Sequence, residues 1–258
     1  IDTNHFTPRP KNNELMAKYQ LQGRRVIVCV GRLVHRKGQD QLIKAKKLLN
    51  DFNKNKLVQE YKDTKILMND LLKKTCDEIN NLNTYIFGNK VNVDTNKIVN
   101  KPIKNKNWNE LLKANKQAKS EKLNKVIDDI LNGKTDINNI NASITKVYAE
   151  DLYVTNRLLT TETSKVIVNT NDECFIENDV KQLLYIATLD KKTCDDCAQY
   201  DLKVYEKGKE PKLPRHPKCR CVLGPYIKDT TPSRRQRIPK KEVINIKDYN
   251  TWKKENNL

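Results

Sequence analysis

The stretch Thr188–Tyr226, TLDKKTCDDCAQYDLKVYEKGKEPKLPRHPKCRCVLGPY, decides how the rest of the chain is read. It holds four of the chain's seven cysteines and one of its three histidines. Cys194-x2-Cys197 places two thiols on one turn, and His216-x2-Cys219-x-Cys221 offers a second half-site. Two donors from each half complete a closed tetrahedral shell of the kind that structural zinc takes. Five candidates compete for four places, and Cys221 is the one with the weakest claim. The segment between the halves is long enough for a hairpin, with Leu202–Tyr205 as a strand and Glu206–Pro211 as a turn around Gly208. Three other readings stay open beside zinc: buried thiols with a shaped turn, a Cys194–Cys197 redox pair, and a nucleophile–base pair. No thioredoxin-like pattern or oxyanion site accompanies the last two.

Outward from this knob the chain is helical and polar. It has 258 residues, 37% of them hydrophobic and 32% charged, and its mean hydropathy is −0.81. That balance suits exposed helices or a subunit that orders within an assembly. No apolar run approaches a membrane span, so no membrane partner is expected. The first residues lack the basic-then-apolar layout of an export signal, so a reducing cytoplasm is expected, where clustered cysteines are metal ligands more often than disulfides.

Upstream, Leu57, Tyr61, Met68, Leu71 and Leu72 recur at helical spacing, predicting a long amphipathic helix over 51–87 that can break near Thr75. Cys76 reads as a small surface residue. Residues 88–107, rich in Asn and Lys with Pro102, read as a loop. Trp108 opens a second helix with the stripe Leu123, Ile127, Ile130 and Leu131, closed by Gly133. Thr135 or Asp136 caps a third stripe, Ile137, Ile140, Ile144 and Val147. A further helix over 151–168 places Leu152, Leu159, Glu162 and Val166 near one face, with Glu162 free to pair with Arg157 or to hydrogen-bond across the bundle. Cys174 falls in the loop that follows. The β-branched and aromatic run Val180–Leu189 predicts a strand that leads into the knob.

The expected fold is therefore mainly α, with a small C-terminal β-hairpin knob stabilised by zinc and a short βα unit at the N-terminus. Four segments follow: a 1–47 leader, a 48–178 helical body, the 179–226 knob and a 227–258 basic tail. The net charge of +18 sits at the two ends, +8 over 1–50 and +10 over 202–258, with 51–201 balanced. Arg234, Arg235, Arg237, Lys240 and Lys241 in the tail can neutralise nucleic-acid phosphates, here double-stranded DNA, and Trp252 can anchor the tail on a partner. A lysine-rich solvated surface explains the same charge equally well.

Two resemblances attach to these residues. In the leader, Arg25–Val30 is a strand-like run followed by Gly31 and a helix, and the sequence RRVIVCVGRLVHRKGQDQLIKA resembles the start of the nucleotide-sugar domain of GT-B glycosyltransferases. That resemblance implies a diphosphate contact by Arg32 and Lys37. The remaining strands, the acidic donor motif and the acceptor domain have no counterpart, so the leader reads as a fused fragment. A nucleotide-sugar-binding glycosyltransferase fragment stands as an alternative function, as does a free-standing zinc nucleic-acid-binding module.

The second resemblance covers about residues 50–226 and is strongest after 150. Arg157, Thr161 and Glu162 in RLLTTET, Thr188 and Asp190 in a Thr-x-Asp turn, Cys194 and Cys197, then His216, Pro217, Cys219 and Arg220 follow one another as in the Mu-like head morphogenesis family. These are the minor head proteins of tailed phages and prophages. The resemblance implies a non-enzymatic, low-copy component of the virion, assembled in the bacterial host cytoplasm. It implies a place at the portal vertex in contact with portal, coat and scaffold proteins, and a role in head assembly and DNA packaging or delivery.

Overall fold

A computed structural model describes residues 13–18, 39–102, 105–132, 134, 139–226, 234–237, 242–245 and 248–255. The expected Arg25–Val30 strand, Gly31, Arg32, Lys37, Gly133, Thr135, Asp136, Ile137, Lys240 and Lys241 lie outside the described residues. The described chain is mainly helical with a small antiparallel sheet near its C-terminus. Its elements are α1 (Asn13–Lys18), α2 (Gln39–Phe87), α3 (Thr95–Asn100), α4 (Trp108–Leu131), α5 (Ile140–Glu177), β1 (Gln182–Ile186), α6 (Asp195–Ala198), β2 (Val204–Glu206), β3 (Val222–Pro225), β4 (Arg234–Arg237), β5 (Glu242–Asn245) and α7 (Tyr249–Glu255).

Helix α2 spans 49 residues without a break, about 74 Å at 1.5 Å per residue. No glycine or proline interrupts it, and Thr75, where a break was expected, returns its hydroxyl to the Leu71 carbonyl within the helix. Leu57, Met68 and Leu72 face the core as their spacing predicts, with Tyr61 half-buried, but Leu71 is exposed. Cys76 continues the same stripe and is fully buried, not on the surface. Gly88, at φ +76°, ends the helix, and its N–H donates to the Thr84 carbonyl. An L side chain there would be strained.

The 88–107 segment is not only loop. Asp94 caps α3 by accepting from the Lys97 N–H at 3.0 Å, and Ile98 and Val99 bury into the cluster of Met68, Leu72, Cys76, Trp108, Leu112, Leu158 and Val166. Six residues are too few for a periodic signal; the cap and one apolar pair suffice once a core is present. Helix α4 starts at Trp108, as expected, behind a capping box in which Asn107 and Glu110 exchange side chain-to-backbone bonds. Leu123 is buried, while Ile127, Ile130 and Leu131 are half-buried.

The two helices expected between 137 and 168 are one. Helix α5 runs 38 residues and carries Cys174 inside it, fully buried. Leu152, expected on its core face, is exposed, and Leu158 takes that place. The α2, α4 and α5 helices pack on one another around a buried ion network. Lys119 of α4 donates to Glu60 of α2 at 2.5 Å and lies 3.3 Å from Asp151 of α5, which also accepts from Lys116 at 2.7 Å. Burial alone would lower the Lys119 pKa, but the two carboxylates outweigh it and hold the ammonium above its usual value.

The sheet has the order β2-β1-β3, all antiparallel, with Leu184 opposite Val204 on one side and Gly224 on the other. It is thus one strand larger than the expected hairpin. Among the described residues no helix is long and apolar enough to cross a membrane.

Candidate metal centre

The knob is built on β1, whose Leu183 and Tyr185 are fully buried against Phe175 at the end of α5 and against Leu223. Cys194 is the residue before the single turn α6, and Cys197 lies within it, so the two thiols of the first half-site straddle one helical turn. Cys219 and Cys221 stand two apart in the extended chain that enters β3, a spacing that points both thiols to one side and the intervening Arg220 to the other. Arg220 there grips Asp190 with two guanidinium nitrogens, Nη2 to Oδ1 at 2.8 Å.

All five predicted ligands converge. Cys194, Cys197 and His216 form one group of mutually close donor atoms, and Cys197, Cys219 and Cys221 form another, so Cys197 belongs to both. The His216 Nε2 lies 3.2 Å from the Cys194 sulfur and 3.3 Å from that of Cys197, and the Cys197 and Cys219 sulfurs are 3.9 Å apart. His216 Nδ1 sits 2.9 Å from the Pro217 carbonyl. A proton on Nδ1 donated to that oxygen leaves the Nε2 lone pair facing the thiols. Cys194, Cys197, His216 and Cys221 line a small void of about 10 Å³. Hydrogen bonds from the Cys221 thiol, then from backbone N–H groups of Cys221 and Arg215, outweigh burial and bring the Cys219 thiol down to about 5. The Cys221 thiol, which donates to Cys219 and is itself buried, is pushed up, and burial raises Cys197. The buried Tyr185 hydroxyl beside these thiols has no hydrogen-bond partner of standard geometry. Soft sulfur donors with one imidazole, clustered and largely dry, can hold a metal ion.

The other predicted motif residues surround this cluster and tie it to α5. The Thr161 hydroxyl oxygen accepts from the Lys218 N–H at 3.1 Å, and the Thr188 hydroxyl donates to the Arg220 carbonyl at 3.0 Å. Burial pushes the Asp190 carboxyl up, but Arg220 and the Lys192 N–H outweigh it and hold it below the usual carboxylate range. Glu162 does not pair with Arg157. It is buried and bonds Lys165, which also reaches the Lys101 carbonyl at 2.8 Å, and burial raises its carboxyl despite that partner. Arg157 is exposed, and its carbonyl accepts from the Thr161 hydroxyl.

Three residues that sequence reasoning missed complete the centre. The Ser164 hydroxyl donates to the Cys219 carbonyl at 2.5 Å; it lies one turn from Thr161, a spacing that was readable. Asp201 accepts the Ala187 N–H at 2.7 Å and the Tyr249 N–H at 2.6 Å. The Tyr249 hydroxyl donates toward the Asp190 and Thr193 carbonyls at 3.0 and 3.2 Å. The last two contacts link segments far apart in sequence, so no local signal marks them. Trp252, expected to reach a partner, is buried on Leu189, Ala198 and Tyr249 of its own chain. The expected basic tail contains two antiparallel strands, β4 and β5, which pair Arg234 with Asn245 and Arg237 with Glu242. The side chains of Arg234, Arg235 and Arg237 lie outside the described residues.

Comparisons of the chain with protein-family models, with curated proteins and with solved structures each find no match.

Proposed function

We propose that this chain is a minor head protein of a tailed phage or prophage. It acts as a structural component near the portal in head assembly and DNA packaging or delivery, and one structural zinc stiffens its knob. The observation that carries this reading is what the motif residues do. Thr161, Thr188, Asp190, Lys218 and Arg220, with the four cysteines and His216, are joined to one another across α5 and the knob. Residues used up in mutual ties build a rigid contact surface. The family resemblance rests on nearly the same residues, so the motif reads as architecture.

Exposed apolar surface supports a role within an assembly. Leu67 of α2 and Leu152 of α5 are 69% and 62% exposed on either side of a cleft of about 670 Å³ that Tyr148 and Thr155 also line. Glu60, Asp63, Lys116, Lys119 and Asp151 line the same cleft, and a mixed apolar and charged surface of this kind suits contact with other subunits, here portal, coat or scaffold. The basic ends, including Arg234, Arg235, Arg237, Lys240 and Lys241, supply the charge that meets DNA. Zinc is the metal of choice for a closed set of thiolates with one imidazole.

Particles purified from the source bacterium test the role. The chain is expected in intact heads at low copy relative to the coat protein, and its deletion is expected to leave heads that lack DNA or do not infect. A chain absent from purified heads, with infectivity unchanged by its deletion, overturns the proposal.

A further inference from the structure

We infer that Cys194, Cys197 and His216 are the fixed ligands of the knob's metal, and that Cys219 and Cys221 serve its fourth position interchangeably. The inference rests on the structural-zinc reading above. A tetrahedral zinc shell with Zn–S of about 2.3 Å and Zn–N of about 2.0–2.1 Å has ligand-to-ligand edges of roughly 3.6–3.8 Å. Three of the six edges are near those lengths, at 3.2 Å (Cys194–His216), 3.3 Å (Cys197–His216) and 3.9 Å (Cys197–Cys219). Cys219 and Cys221 are grouped with Cys197 and not with Cys194 or His216, so either thiol must rotate toward that pair to close the shell.

Cys197 is the pivot, since its sulfur is close to the other four donors. On its far side, Cys219 and Cys221 are equivalent in kind: each is a buried thiol, 1% and 5% exposed, within reach of Cys197 and of the other. Their claims on the metal are complementary. Cys219 stands at an edge-length distance from Cys197, and Cys221 lines the small void that Cys194, Cys197 and His216 also face. The chain holds both in place from outside the cluster. Arg220, between them, is anchored on Asp190, and the Cys219 carbonyl is held by Ser164. With the backbone fixed at 219–221, exchange of one thiolate for the other needs only side-chain rotation. The proton shed by the incoming thiol passes to the outgoing thiolate, so charge and donor count are unchanged.

Zinc content of the full-length chain, measured by mass spectrometry after gel filtration, tests this. Cys219→Ser and Cys221→Ser are each expected to keep one zinc per chain, with affinity reduced no more than about 10–100-fold, the range for losing an outer-shell contact. Cys197→Ser and the Cys219→Ser/Cys221→Ser double variant are expected to keep none. In the cobalt-substituted parent and both single variants, the thiolate-to-metal charge-transfer band is expected at the same intensity per cobalt, that of three thiolates. A single variant that binds no zinc, or that fails to fold with zinc supplied, overturns the exchange while leaving a zinc-binding parent intact. A parent that binds no zinc overturns the zinc reading itself and the exchange with it.

Discussion

Replacement of Asp151 by alanine should destabilise the helical body by roughly 2–4 kcal/mol. The carboxylate sits where all three long helices meet through charge. Its side chain is 10% exposed, and it bonds Lys116, itself 9% exposed, at 2.7 Å. Removing one partner of a buried pair costs about 3–5 kcal/mol, because the other charge is left in a poor solvent. Two features lower that figure here. Lys119, the second ammonium, keeps Glu60 at 2.5 Å. The second carboxylate oxygen of Asp151 is buried without a hydrogen bond, so its loss returns about 1 kcal/mol. Asp151→Asn keeps an acceptor for Lys116 and should cost about half as much as alanine. Asp151→Leu combined with Lys116→Met exchanges the pair for apolar volume and should fall within about 1 kcal/mol of the parent. The assay is urea unfolding followed by helical ellipticity; urea, unlike guanidinium, leaves ion pairs unscreened. An alanine variant that loses less than about 1 kcal/mol, or an apolar double variant that loses as much as alanine alone, would refute the ion network's role.

Two further outcomes concern the knob. The Asp190 carboxyl is held low in the folded chain, so the stability it contributes is present above its unfolded value near ~3.9 and is lost as pH falls through the folded one. The urea midpoint of Asp190→Asn, read on Trp252 fluorescence in a Trp108→Phe background with chelator throughout, should trail the parent at pH 7. As pH falls below the unfolded value the gap should narrow, and a gap that stays equal on acidification contradicts the ion pair's role. Removal of the metal with a chelator should leave the helical ellipticity of α2, α4 and α5 in place while tryptic cleavage at Lys203, Lys207 and Lys209 accelerates, because the knob's sheet is short and three of the eight buried residues of its core are cysteines. Equal cleavage with and without chelator would show that metal does not stiffen the knob.

What could be read from the sequence followed from how local each signal is. The long stripe of α2, the Trp108 start of α4 and the central strand β1 lie within windows where spacing alone decides. The five candidate donors were legible because their half-sites are short and separated by a hairpin-length segment. Two breaks were placed where nothing breaks a helix: neither Thr75 nor the residues around 150 bring a glycine or proline. The stripe of α5 shifts face along its length as it passes from the α2–α4 core to the knob, so two stripes looked like two helices. Cys76 and Cys174 read as surface and loop because a lone cysteine has no period. In the fold they meet at the α2–α5 contact, where Thr170 donates to Cys76 at 3.3 Å and the Cys174 thiol lies 3.5 Å from Asn80 Oδ1. Buried lysines are the opposite case. Lys116 and Lys119 pattern as solvent-facing and are buried only because partners 35 and 59 residues away, Asp151 and Glu60, neutralise them.

Helix α5 has a consequence for how the chain can vary. It enters the bundle at Val147 and Asp151 and ends with Phe175 inside the knob's core, with no glycine or proline between to absorb a change of phase. Each residue added between Asp151 and Leu158 would turn everything beyond it by roughly 100° and advance it by about 1.5 Å. The azimuth of the knob about the bundle is therefore written into a residue count. Length changes in that span are tolerated only in near-whole turns, about seven residues at a time, and the helix works as a keyed shaft rather than a tether.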